Sequence, residues 1–216
     1  MNDVLNWIYI IGFVLLAGFV IYLFGAVPMM INQKKMIGAY RKLASLYGFE
    51  IKNDKIKLIP NWPTIKGFFN KKYFIVTQAR YGKNTSFYNS STGTWRTFSN
   101  YITKISTKLW NPVCGDFKMV NSSIFKKTYN VEEFEDSVCI DGTSAEQVKN
   151  LLNDNIKQEI IDVLNKGGIL HIEVKNGILF ASNFHGLVND NDVEECSKRI
   201  KLLCELSYLL DLKKPQ

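Results

Sequence analysis

The chain has 216 residues, a formal net charge of +7 and a mean hydropathy of −0.07. A hydrophobic content of 46% excludes a disordered or collagen-like chain, and the near-zero hydropathy excludes a protein built mostly of membrane spans. The charge is divided along the chain, because residues 1–130 hold eighteen basic and four acidic residues whereas residues 131–216 hold nine and sixteen. The sequence therefore predicts a basic half followed by an acidic half.

The N-terminal region is apolar and uncharged over a length that fits a bilayer. No side chain from Val4 to Gln33 carries a formal charge. A helix from Ile8 to Pro28 would rise about 31 Å, close to the ~30 Å of a hydrocarbon core. A cleaved signal peptide would have a basic start and a shorter apolar core. Residues 7–31 are therefore predicted to be an uncleaved transmembrane anchor after a short N-terminus (residues 1–6), with the helix broken at Pro28.

Basic residues follow the anchor and predict its orientation. Lys34, Lys35, Arg41 and Lys42 lie shortly after the span, and no Lys or Arg precedes it. The positive-inside rule then leaves the N-terminus outside and the C-terminal domain in the cytoplasm, in a single pass through the inner or plasma membrane. The residues predicted to bind an anionic membrane surface are Lys34, Lys35, Arg41, Lys42, Lys71 and Lys72.

Residues 32–48 are predicted to form a basic juxtamembrane helix. Apolar residues recur at helical spacing from Met36 to Tyr47, and Gly48 is a typical helix stop. The favoured interpretation is a stalk helix packed on the domain. A helix lying in the membrane interface is the alternative.

The basic half, residues 49–130, is predicted to be rich in antiparallel strands. Short alternating runs are separated by turn residues at Asn53-Asp54, Asn70-Lys71 and Tyr88–Gly93. The predicted strands are Phe49–Ile51, Lys55–Ile59, Thr64–Phe69, Lys72–Tyr81, Thr94–Ser106 and Phe117–Val120.

The acidic half, residues 131–216, is predicted to be β-α-α-β-β-α, which makes the fold class α+β. Ser144, with Gln147 completing a capping box, would begin the first helix. The dipeptide Asn176-Gly177 predicts a tight hairpin. The predicted elements are a strand at Ser137–Ile140, helices at 144–150 and 155–165, strands at 168–175 and 178–182, and a final helix at 190–210. The two halves form either one α+β unit or two closely packed subdomains.

A resemblance covers residues 131–183. The run Phe134-Glu-Asp-Ser-Val-Cys-Ile-Asp-Gly-Thr-Ser-Ala-Glu, the helix after it, and Leu170-His-Ile-Glu-Val-Lys-Asn-Gly-Ile-Leu-Phe resemble the C-terminal module of uncharacterised bacterial membrane-anchored proteins. The resemblance implies a strand, a helix and a strand pair placed after a membrane span. It implies no activity.

Catalytic and metal-binding patterns are absent from the sequence. His171 and His185 have no ligand spacing, and Cys196 and Cys204 lie about 12 Å apart along a helix, which favours packed thiols. A nucleophile pair of Cys114 and His185, oriented by Asp116, is the one catalytic arrangement that can be named. The sequence predicts no metal and no cofactor.

Lysines and aromatic residues alternate through the basic half, a pattern that also occurs in single-strand nucleic-acid binding. A leaflet beside the anchor offers a closer anionic partner, worth about 1 kcal/mol for each nearby cation. The sequence therefore predicts a membrane-tethered cytoplasmic interaction or scaffold module that docks on anionic lipid, with the acidic half as a possible protein-binding surface and nucleic acid as an unfavoured partner. The alternative is a membrane-associated enzyme acting on a lipid or cell-envelope substrate.

Overall fold

The computed structural model describes residues 2–56, 62–80, 85–89, 94–98, 101–121, 132–135, 138–142, 145–166, 169–183 and 186–211. Its N-terminal part is one uninterrupted helical rod. Helix α1 (Asn2–Ile21) leads through a π-helical turn (Tyr22–Ala26), called the π-turn below, into helix α2 (Val27–Tyr47). The helix that contains the π-turn is long and apolar enough to cross a membrane, and its most apolar part is not buried by the rest of the chain.

The predicted break at Pro28 is wrong, because the helix continues through it. Proline lacks the N–H that an α-helix needs at this position, and its ring collides with the carbonyl one turn earlier. The π-turn immediately before Pro28 widens the backbone there, since the Val27 N–H donates to the Tyr22 carbonyl, one residue farther back than in an α-helix. The chain therefore passes Pro28 without leaving the helix.

The C-terminal part of α2 is packed into the core of the domain. Met36 is 4% exposed, and Tyr40 and Leu43 are fully buried. The helix ends at Gly48, whose left-handed φ of 66° is typical of a glycine C-cap. The stalk interpretation is therefore confirmed over the interfacial one.

Eleven strands follow within the described residues, and nine of them form one antiparallel sheet. The sheet order is β1-β2-β3-β6-β11-β10-β7-β9-β8, and β4 and β5 pair as a separate hairpin. The α+β class is confirmed. The strands are β1 (Glu50–Lys52), β2 (Thr64–Phe69), β3 (Lys72–Arg80), β4 (Thr85–Asn89), β5 (Thr94–Phe98), β6 (Tyr101–Lys108), β7 (Phe117–Asn121), β8 (Glu132–Glu135), β9 (Val138–Gly142), β10 (Ile169–Lys175) and β11 (Ile178–Asn183).

Strands from the basic and acidic halves of the sequence are mixed within this sheet. β6, from the basic half, pairs with β11, from the acidic half. β7, again from the basic half, lies between β10 and β9. The sheet hydrogen bonds therefore run across the boundary between the two halves of the charge pattern.

Several predicted strand boundaries need correction. The predicted strand Lys55–Ile59 is wrong at Lys55 and Ile56, which are not in a strand, and its remainder lies outside the described residues. The predicted strand Thr94–Ser106 is two strands, β5 and β6. Strand β4 was not predicted, because its Ser, Thr and Asn residues are typical of loops. The predicted turn at Tyr88–Gly93 overlaps the end of β4, and residues 90–93 lie outside the described residues.

Helices cover one face of the sheet and leave the other without a described helix. α3 (Ala145–Leu151), α4 (Asp154–Lys166) and α5 (Asp190–Leu209) join α2 over the buried side chains of the strands. α5 begins with a capping box in which Asn189 and Asp192 satisfy each other's backbone N–H groups. The prediction that Cys196 and Cys204 are packed thiols is confirmed, because both side chains are buried on α5.

A buried ion pair links the start of β3 to the residue that follows α5. The ammonium of Lys72, the first residue of β3, pairs with the carboxylate of Asp211 after α5, and both side chains are buried. The Lys72 Nζ also lies 5.0 Å from the centre of the Tyr208 ring. The other Asp211 oxygen accepts the backbone N–H of Asn111 at 2.9 Å. The end of α5 is thereby fixed to the sheet.

Replacing one member of this pair tests its role. Lys72→Met should lower the free energy of unfolding by about 3–5 kcal/mol, because the Asp211 carboxylate is left buried without its counter-charge. The measurement is urea unfolding of the full-length protein in detergent micelles, followed by tryptophan fluorescence.

Two comparisons make the result specific. Lys71→Met, at the neighbouring exposed position, should change stability by less than about 0.5 kcal/mol. Adding Asp211→Asn to Lys72→Met should recover part of the loss, because no unpaired charge remains in the core. Equal stability of Lys72→Met and wild type would contradict the account.

Candidate functional site

The junction between the membrane helix and the domain occupies only a few residues. Ile31 is exposed, whereas Gln33 is 4% exposed and already lies within the fold. Gln33 follows Ile31 by two residues and Met36 follows it by five, which corresponds to a rise of about 3–8 Å along the helix. The domain therefore begins at the level of the lipid headgroups if the apolar segment spans a bilayer.

Contacts of α2 with the sheet show which end of the domain is closest to this junction. Tyr40, in the middle of α2, lies beside Thr103 near the start of β6. Tyr47, at the end of α2, packs edge-on against Phe69 at the end of β2, with 5.0 Å between ring centres. The sheet end that holds the start of β6 is therefore proximal to the junction, and the Asn70-Lys71 turn is distal.

The predicted membrane-binding residues divide into three groups. Lys34 and Lys35 are exposed at the junction. Arg41 and Lys42, two turns farther on, are held in ion pairs with Asp54 at 2.9 Å and Asp190 at 2.8 Å. These pairs are largely exposed, so they contribute little stability, but they direct both cations toward the domain.

Lys71 and Lys72 are placed at the distal end. Lys72 is fully buried against Asp211, so the prediction that it binds a membrane surface is wrong. The sequence could not reveal this, because the partner is 139 residues away. Lys71 lies beside the end of α2, about 18 Å along the helix from Lys35. That distance exceeds the ~8 Å Debye length at physiological salt, so Lys71 contributes little to attraction by a leaflet at the junction.

The predicted nucleophile arrangement is only partly described. Cys114 is buried, and burial raises the pKa of its thiol, which keeps it protonated and a poor nucleophile. The Asp116 carboxylate accepts the backbone N–H of Asn176 at 2.9 Å and so supports the β10–β11 turn. His185 lies outside the described residues. No group of three His, Cys, Asp or Glu side chains within the described ranges is arranged to hold a metal ion.

The sheet face opposite the helices carries a basic and aromatic surface; the sequence indicated its lysines within the basic half but not the part that β10 and β11 add. We call this the open face. Its charged side chains include Lys52, Lys66, Lys104, Lys108, Lys118 and Lys175 together with Glu50, Glu173 and Asp141, and Lys66 lies 3.7 Å from the Glu50 carboxylate. The alternation in His171-Ile-Glu-Val-Lys175 was the available signal, because it places every second residue on one face. The strand order was needed to show that these residues lie beside Lys104 and Lys118 on the open face.

His171 lies at the centre of the open face and is held neutral. Its ring packs edge-on against Phe180, over which Lys104 places its ammonium at 3.6 Å. Burial, followed by the charges of Lys118 and Lys104, lowers the pKa of His171 to about 4. Glu173, 3.4 Å from the imidazole, favours protonation, but the desolvation and the two lysines outweigh it.

No protein-family model and no curated protein matches the chain. Among solved structures, the chain is similar to the crystal structure of the mycobacterial trehalose monomycolate transport factor A, TtfA, with a TM-score of 0.49 and 5% sequence identity over 84% of this chain and 98% of that chain. A likeness of this size transfers no function. The resemblance of residues 131–183 to uncharacterised membrane-anchored proteins therefore stays a prediction.

The neutral His171 predicts a pH dependence of stability. Below pH 6.5 the unfolded chain binds a proton at this residue that the folded chain does not bind until about pH 4. Stability is therefore lost as the pH falls through that window, by about 2 kcal/mol between pH 7 and pH 5 from this residue.

The measurement compares wild type with His171→Gln by urea unfolding at both pH values. The fall in stability should be smaller in the variant, since the other titrating groups are shared. An identical fall in the two proteins would contradict the placement of His171 in a desolvated, positively charged setting.

Proposed function

We propose that this chain is a single-pass membrane protein with its N-terminus outside and its α+β domain in the cytoplasm, where it acts as an interaction or scaffold module held in a fixed orientation. The observation that carries the proposal is the continuity of the helix from an exposed apolar segment of bilayer length into the domain core. Trp7, Phe13 and Phe24 are 65–79% exposed, whereas Tyr40 on the same rod is fully buried. Water does not favour such an exposed surface, and lipid does.

The continuous helix makes the anchor a rigid support. A flexible linker would let the domain tumble beside the membrane, whereas a helix packed on the sheet holds its strands at one angle to the bilayer. The proximal end then lies against the headgroups. The open face and the outer surface of α3–α5 are directed sideways, where partners in the cytoplasm or in the membrane can reach them.

Anionic lipid is the proposed partner of the junction. Lys34 and Lys35 are exposed at the headgroup level and their charges are not in any ion pair among the described residues. Each lysine would gain about 1 kcal/mol of attraction near an anionic leaflet. By the positive-inside rule, the same two charges keep the C-terminal side of the helix in the cytoplasm.

A protein partner is proposed for the acidic helices. The outer surfaces of α4 and α5 expose several carboxylates, among them Glu159 and Glu205. Burial, and then the like charge of Glu205, raise the pKa of Glu159. A basic partner would relieve this repulsion, and the oppositely charged open face gives the domain two sides that select different partners.

Cysteine labelling tests the topology. Asn2→Cys should react with a membrane-impermeant maleimide on intact cells, and Glu146→Cys, in exposed α3, should react only after permeabilisation. The native cysteines are buried and serve as the unlabelled background. Labelling of Glu146→Cys on intact cells would contradict the cytoplasmic placement.

Lipid selectivity tests the junction. In nanodiscs of mixed phosphatidylcholine and phosphatidylglycerol, replacing both Lys34 and Lys35 by Gln should reduce the enrichment of phosphatidylglycerol around the protein by about fivefold or more, from a loss of ~1 kcal/mol per cation. Native mass spectrometry of the retained lipids measures the enrichment. Lys71→Gln is the matched distal control and should behave as wild type; an equal loss in that variant would contradict the assignment.

A further inference from the structure

Exposed apolar side chains of the domain are concentrated at the distal end of the open face. Seven large apolar side chains are exposed on the described part of the domain after Met36, and four of them lie together here. Exposed apolar side chains that occur singly need no explanation, but a cluster of them marks an interaction surface. We call this region the distal patch, and its members are Phe68, Tyr73, Ile75, Trp110 and Ile178 with Lys108 and Lys175.

The strand register brings most of these side chains into one row. Phe68 pairs with Tyr73 across β2 and β3, and their rings lie 5.1 Å apart. The pairing of β3 with β6 places Tyr73 beside Lys108. Ile178 then lies between Lys108 and Lys175, because it pairs with both. Neighbouring strands are about 4.8 Å apart, so the row crosses five strands over about 19 Å.

Ile75 and Trp110 widen this row. Ile75 lies two residues after Tyr73 on β3 and therefore on the same face of the sheet. Trp110 follows β6, and the Lys108 Nζ lies 6.0 Å from the centre of its indole ring. Phe68 and Trp110 are 67% and 66% exposed, so both rings are open to solvent.

Positive charge lies beside these apolar side chains. Lys108 and Lys175 are exposed, and neither forms an ion pair among the described residues. Lys66, one row away, is already paired with Glu50. Apolar neighbours exclude water from a docked partner and so strengthen its ion pairs. The distal patch is therefore complementary to a surface that carries carboxylates beside large apolar side chains.

Lipid and nucleic acid fit the distal patch less well than protein does. The patch is level with Tyr47, about 24 Å along α2 from the end of the apolar segment at Ile31, which is beyond the attraction of a leaflet at the junction. Ile178, between the two lysines, offers a nucleotide base no ring on which to stack. Glu173, two residues before Lys175 on β10, would repel a phosphate chain that crossed the sheet.

A second copy of this chain matches only the charge of the patch. The outer surfaces of α4 and α5 carry carboxylates, but none of the exposed large apolar side chains within the described residues lies on α3, α4 or α5. The three outside the patch are Leu46 on α2, Ile56 after β1 and Val188 before α5. Docked helices of a second copy would leave the rings of the patch against polar groups, whose burial is unfavourable.

We propose that the distal patch binds a segment of another protein that carries carboxylates beside large aliphatic or aromatic side chains. The apolar side chains of the segment pack on Phe68, Ile75 and Ile178, and its carboxylates pair with Lys108 and Lys175. The inference rests on the proposed function, because the rigid anchor is what holds the patch away from the membrane and directs it sideways. It names the class of partner that such an interaction module holds.

Selection from a random peptide library tests the chemistry of the partner. Peptides of about sixteen residues are long enough to cover the row as a helix or as a strand. They are selected on full-length protein in nanodiscs, after removal of those that bind empty nanodiscs. The enriched peptides should combine Asp or Glu with large apolar residues. Enrichment without an excess of acidic residues, or of acidic peptides without apolar residues, would overturn the proposal.

Exchange of charge tests the contact with the lysines. Replacing both Lys108 and Lys175 by Glu should weaken binding of an enriched peptide about tenfold or more, as measured by fluorescence anisotropy. The same peptide with its acidic residues changed to lysine should bind this variant more tightly than it binds wild type. A folded variant, verified by urea unfolding, that fails to prefer the basic peptide would contradict the ion pairs.

A second pair of variants tests the apolar contact. Ile178→Ser should weaken binding of the acidic peptide about tenfold, because a buried aliphatic side chain is lost from the interface. Val188→Ser, at an exposed aliphatic side chain outside the patch, should leave the affinity unchanged. Equal losses in these two variants would overturn the placement of the site. Oligothymidylate that binds wild type as tightly as the peptide at physiological salt, and weakens in the same lysine variant, would overturn it in favour of nucleic acid.

Membrane insertion and topology are measured separately, by carbonate extraction and by the maleimide labelling described above. Inserted protein with a cytoplasmic domain that binds no acidic and apolar peptide overturns the distal patch and leaves the proposed function intact. Protein that binds such peptides at the patch but is extracted by carbonate, or is labelled at Glu146→Cys on intact cells, supports the patch and overturns the proposed function.

Discussion

The packing of α2 against the sheet is the contact on which the rest of the structure depends. Tyr40 and Leu43 are fully buried between the sheet and α5, on the same helix that exposes its apolar N-terminal half. If the exposed apolar half spans the bilayer as proposed, the rod meets lipid along its first half and the protein core along its second. A bend between the two halves would let the domain change its angle to the membrane. The absence of a break at Pro28 is for this reason the feature with the widest consequences.

The strand order changes how the charge pattern is understood. Along the chain, charge divides into a basic first half and an acidic second half. In the fold, β7 lies among strands of the acidic half. Apart from the buried Lys72, the described lysines of the nine-stranded sheet lie on the open face, while carboxylates are exposed on the outer helices. The basic and acidic charges are thus divided between two sides of the domain as well as between the two halves of the sequence. Only Lys34 and Lys35 remain as free cations at the proximal end among the predicted membrane-binding residues.

Local signals predicted much of this fold, and long-range contacts account for the rest. Alternation and turn residues predicted β2 and the β10–β11 hairpin, where Asn176 and Gly177 both have positive φ, because register and turn type depend on neighbours in the sequence. The burial of Lys72 depended on Asp211 at the other end of the chain. The open-face cluster around His171 depended on which strands become neighbours. The π-turn escaped prediction because Pro28 alone normally indicates a helix end.

Continuity of the helix is the central claim, and a distance measurement tests it most directly. Spin labels at Leu16 and Ser45, both exposed on the rod, would be about 44 Å apart, because Ser45 follows Leu16 by 29 residues and each residue of a straight helix rises about 1.5 Å. Double electron–electron resonance on full-length protein in nanodiscs should give a narrow distribution near that value. A broad distribution, or a mean shorter by more than about 10 Å, would show a bend or a hinge between membrane and domain. The fixed orientation would then have to be abandoned.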